Sequence, residues 1–184
     1  MDKNQMIPES HPLHRLFRGL TESTFMEELG IGDPSLVGYV SNLLADFVRS
    51  QPGWQTRHRD GRQLSRILTM ISEAEAMPEA SLRLECYRQV GDFTLFWTGV
   101  FPELLSKFDG KNRLNPLVNY QEQGKRSYYL ASTLTDEGKQ GAVLRRLSDQ
   151  FELCAFGLSC VRREWEKLEA DGSAFRGTIG PVWS

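Results

Sequence analysis

The stretch best equipped for chemistry is Arg88 to Glu103, RQVGDFTLFWTGVFPE, where Asp92 lies between Gly91 and Phe93 in a mostly apolar run. A carboxylate in such surroundings is costly to ionise unless a cation or a hydroxyl pairs with it. Arg88, four residues earlier, can reach Asp92 along one side of a helix. A later segment offers further partners in Gln121, Lys125, Arg126, Tyr128 and Tyr129, with Tyr120 as a ring that could line a cavity. Arg88, Asp92, Thr94, Trp97, Tyr120, Lys125 and Tyr128 are therefore the candidates for a polar network or a ligand pocket. In its most specific form, Asp92 accepts a proton, Tyr128 donates one, and Arg88, Lys125 or Arg126 orients an anionic group. The structural reading stands beside it: the aromatic rings fill a core, and Asp92 is simply paired within it.

A second candidate is the basic connector TRHRDGR with the residues after it. Arg57, Arg59, Arg62 and Arg66, together with Trp183 near the end of the chain, are candidate contacts for a partner. Asp60 interrupts this patch and the chain as a whole is acidic, so nucleic acid is the least favoured partner. His11 and His14 are three apart, but Pro12 separates them, and neither HExxH nor Glu-x-x-His occurs, so no metal is expected. GxSxG, GxxxxGK[ST] and GxGxxG are also missing, and no cofactor is expected. Cys86 and Cys154 fall on apolar stripes, as inert packing does. Cys160 falls off its stripe, beside Arg162 and Arg163, and is expected to be the more exposed thiol.

The elements that must position these residues are helices. The 184 residues carry 22 basic and 24 acidic side chains and are 40% hydrophobic, which suits one globular domain. No apolar run is long enough for a membrane helix, the start lacks a secretory pattern, and three unpaired cysteines suggest a reducing, cytoplasmic setting. Leu36, Val37, Val40, Leu43, Leu44 and Phe47 trace one helical face after Asp33-Pro34, with Ser41 and Asn42 away from it. Leu64, Ile67, Leu68 and Ile71 trace a second. Leu82, Cys86, Val90, Phe93 and Trp97 trace a third, widened by Leu95 and Phe96 until the helix belongs at the centre of a core. Asn115-Pro116 opens a fourth through Gly124, Tyr128 and Ala131. Gly124 implies that a neighbouring helix passes close. The seven-residue repeat Leu144, Leu147, Phe151, Cys154, Leu158, Val161, Trp165 and Leu168 predicts one last long helix, about 36 Å in length.

With no run of alternating β-branched residues, the expected fold is all-α. It is a single-domain bundle of about five main helices with short terminal ones. Residues 1–32 form a short docking segment, 33–169 the bundle and 170–184 an irregular tail.

The segments GDFTLFWTGVFPE and GKRSYYLAS resemble a family of bacterial soluble helical proteins of unassigned function. Including their flanks, they cover roughly a third of the chain. The resemblance implies an intracellular bacterial protein whose two matching helices share a structural or binding centre, and it assigns no catalytic residue. The function expected is a protein-interaction or scaffold module that self-associates or binds another protein. A small-molecule site around Asp92 and Tyr128 is the alternative, and a nucleic-acid regulator using Arg57 to Arg66 comes last.

Overall fold

The computed structural model describes residues 12–50, 63–107, 116–135 and 138–170. Every regular element among them is helical, and they contain no strand. Helix α1 spans Pro12–Glu22 and runs into a π-helical turn, Ser23–Glu28. Then follow α2 (Pro34–Ser50), α3 (Gln63–Ala76), α4 (Ala80–Val100), α5 (Pro102–Lys107), α6 (Pro116–Thr133), α7 (Lys139–Asp149) and α8 (Phe151–Ala170). α1, α2, α5 and α6 each begin at a proline, whose missing N–H costs no helical hydrogen bond in the first turn. Proline also ends α4. Phe101 precedes Pro102 and leaves the helix at φ −134° and ψ 50°, because the proline ring disfavours helical backbone before it.

The chain divides into two compact units, Met1–Gln55 with Gly157–Ser184, and Thr56–Phe156. The first boundary falls at the start of the basic connector TRHRDGR, and the second falls inside α8. In the first unit α1 packs on α2, and Phe17 of α1 stacks on Trp165 of α8 with ring centroids 5.0 Å apart. Phe25, on the π-helical turn, is fully buried with its ring against Gly157. Gly30 then takes φ +68°, a left-handed conformation that glycine adopts without steric cost. The Asp33 carboxylate caps α2, accepting from the Ser35 N–H at 3.0 Å and the Leu36 N–H at 3.4 Å. Leu36, Val37, Val40, Leu43 and Leu44 are buried as their spacing predicts. Ser41, expected outside, is buried too. Its hydroxyl donates to the Gly38 carbonyl at 3.1 Å, so burial leaves no donor unmet.

In the second unit α4 packs against α3 and α6, and α6 packs against α7. Every residue of α4 from Thr94 to Val100 is buried, in keeping with its nearly circumferential apolar sequence. The flanks differ from the expected stripes. Leu68 and Leu82 are exposed, and the buried line of α3 runs from Ile67 to Ala74. A residue next to a buried one lies about 100° around the helix, so the run Ile67-Leu68 fixes its inner member poorly, whereas Leu82 stands in the first turn of α4, before its buried stretch begins at Cys86.

The long seven-residue stripe is also corrected. It is carried by two helices, because Gln150 leaves the helical region at φ −114° and ψ 27°. Its N–H still donates to the Arg146 carbonyl at 2.8 Å, and its carbonyl accepts from Cys154 at 2.9 Å. Leu144, Leu147, Phe151, Cys154, Leu158, Val161 and Trp165 are all buried within the chain. No helix among the described residues is long and apolar enough to cross a membrane.

Candidate functional site

Glu85, Arg88 and Asp92 lie three and four residues apart on α4, so they share one strip of its surface. The Arg88 Nη1 group donates to Asp92 Oδ2 at 2.8 Å. From the other end of the strip, Glu85 accepts from Arg88 Nε at 2.9 Å and from Nη2 at 2.6 Å. This fork matches the planar guanidinium and holds it in one orientation. Gln89 Nε2 adds a further bond to Glu85 at 2.9 Å. Burial pushes the Glu85 carboxyl up, but the Arg88 and Gln89 hydrogen bonds and the Arg88 charge outweigh it, leaving its pKa lowered.

The second oxygen of Asp92 belongs to α6. Tyr128 donates its hydroxyl to Asp92 Oδ1 at 2.8 Å. The tyrosine is completely buried, whereas the Asp92 side chain keeps 16% of its exposure. Two glycines let the helices come this close. A methyl group on Gly91 would lie 2.6 Å from the Tyr128 ring, and one on Gly124 would run into the Phe151 ring and Thr94 Oγ1. Thr94 therefore faces α6, while its hydroxyl donates to the carbonyls of Val90 at 2.8 Å and Gly91 at 2.9 Å. The Phe151 ring closes the other side of Tyr128, with centroids 6.2 Å apart. Both Asp92 oxygens are thus engaged by groups the chain itself supplies, and the result is a clamp between two helices. The chain matches no family model, no curated protein and no solved structure.

Of the residues singled out by type and spacing, the structure brings Arg88, Asp92 and Tyr128 together. The others are engaged elsewhere. Trp97 is buried in an aromatic cluster with Phe93, Phe96 and Phe101, at centroid distances of 6.0, 6.2 and 5.8 Å. Tyr120 is buried, which raises its phenol pKa. The Lys125 ammonium pairs with Glu152 of α8 at 2.8 Å, and its carbonyl accepts from Ser148 at 2.8 Å. Tyr129 lies under the Arg145 guanidinium, 4.6 Å from its ring centroid. Glu85 and Gly91 were missed by the sequence reading. The three-residue step from Glu85 to Arg88 is a signal that could have found the former.

Arg57, Arg59, Arg62 and Trp183 lie outside the described residues, as do His11 and His58, and Arg66 is described only as part of the α3 backbone. His14 is buried, with Nε2 bonded to Asn42 Oδ1. The described residues contain no group of three or more His, Cys, Asp and Glu side chains that could hold a metal ion. Burial pushes the Cys154 thiol up to about 12 and raises Cys86, whose Sγ donates to the Met70 carbonyl at 3.2 Å. Cys160 is buried rather than exposed, with Arg163 Nη2 donating to its sulfur at 3.0 Å. It is buried although it lies off the seven-residue stripe.

Proposed function

We propose that this protein is an interaction module that self-associates through the outward face at the start of α8. The observation that carries this reading is the pair Leu153 and Phe156, which keep 40% and 54% of their exposure. They stand one helical turn apart, on the side opposite the buried Phe151, Cys154 and Ala155. Large apolar side chains grouped on a solvent face are common at protein contacts. The α4–α6 clamp supports the reading as scaffolding, because its hydrogen bonds close on one another. A small-molecule site at Asp92 and Tyr128 ranks below it for the same reason, since a ligand would have to displace an internal partner. The resemblance of the segments that begin at Gly91 and Gly124 to bacterial helical proteins supports work inside a bacterial cell.

Sedimentation velocity of the full chain across the micromolar range tests the proposal. The expected result is a concentration-dependent dimer or larger species that reverts to monomer in the Leu153→Ser, Phe156→Ser double variant with its helical circular dichroism unchanged. A wild-type chain that stays monomeric throughout, or a double variant that associates equally well, overturns it.

A further inference from the structure

We draw no further inference here: the strongest candidate, the buried polar side chains His14 and Thr21 on α1 and Trp165 of α8, which stacks on Phe17 of the same helix α1, carries nothing, because no second observation points to a ligand that would join them.

Discussion

The α4–α6 crossing and the inner face of α1 bury polar atoms among aromatic rings in opposite ways. At the crossing, each Asp92 oxygen meets a donor, and the Arg88 guanidinium is held at both ends by carboxylates. On α1, Thr21 Oγ1 and His14 Nδ1 are buried without a hydrogen-bond partner among the described residues, and so is Nε1 of Trp165, whose ring stacks on Phe17. The difference teaches where polarity is structural. A fully connected network becomes costly when one member is removed, whereas replacing an unpaired polar atom with an apolar one of equal shape is neutral or stabilising.

The comparison is tested hardest at Tyr128. Tyr128→Ala removes a fully buried ring and a donor to Asp92, and should cost about 3–5 kcal/mol in urea unfolding. Tyr128→Phe keeps the ring and should cost about 1–2 kcal/mol, the share due to the hydroxyl. A Tyr128→Phe variant as stable as wild type would mean that the hydroxyl, and hence the clamp, contributes little beyond packing.

Gly91→Ala comes next. Alanine improves helix propensity by about 1 kcal/mol, but its methyl would press on the Tyr128 ring near its root, where no rotamer change relieves the contact. Overpacking of this kind costs about 1–3 kcal/mol, so net destabilisation is expected by thermal melting. A stabilised variant would show that the helices are free to separate at this point.

The pH dependence should be smaller. The Glu85 pKa is lower folded than unfolded, so its contribution is present above the ordinary carboxylate value and fades as pH falls through the folded one. Glu85→Gln should therefore lower the urea midpoint at about pH 6, with the gap to wild type narrowing towards about pH 3. A constant gap would detach Glu85 from the clamp. The smallest effect is expected on the other side of the comparison. Thr21→Val should be neutral or stabilising by up to about 1 kcal/mol, and a clear loss would show that the hydroxyl has work in the native state.

How far each region could be read from sequence follows the same contrast. The Arg88–Asp92 pair was legible because a four-residue step on a helix places side chains together regardless of what surrounds them. Tyr128 was legible as the residue to donate to Asp92 among several polar neighbours, and the close approach of α6 at Gly91 is what brings its hydroxyl within reach. Leu68 and Leu82 were misplaced because an apolar type records only a preference for burial: Ile67 competes with Leu68 for the inner position, and Leu82 precedes the buried stretch of α4 that begins at Cys86. The break at Gln150 was hidden by a stripe that continues across it, since the buried residues keep the same three- and four-residue spacing on both sides.

The sequence by itself determined the all-α class, the prolines that open four helices, the Asp33 cap and the central burial of α4. These depend on periodicity and on local backbone chemistry, which act within a few residues. The tertiary structure alone decided that Tyr128 completes the Asp92 clamp, that Lys125 turns to Glu152, and that the seven-residue stripe is buried within the chain while Leu153 and Phe156 face outward. Those outcomes depend on which helix passes over which glycine and on how residues far apart in sequence share volume, and no local pattern encodes that.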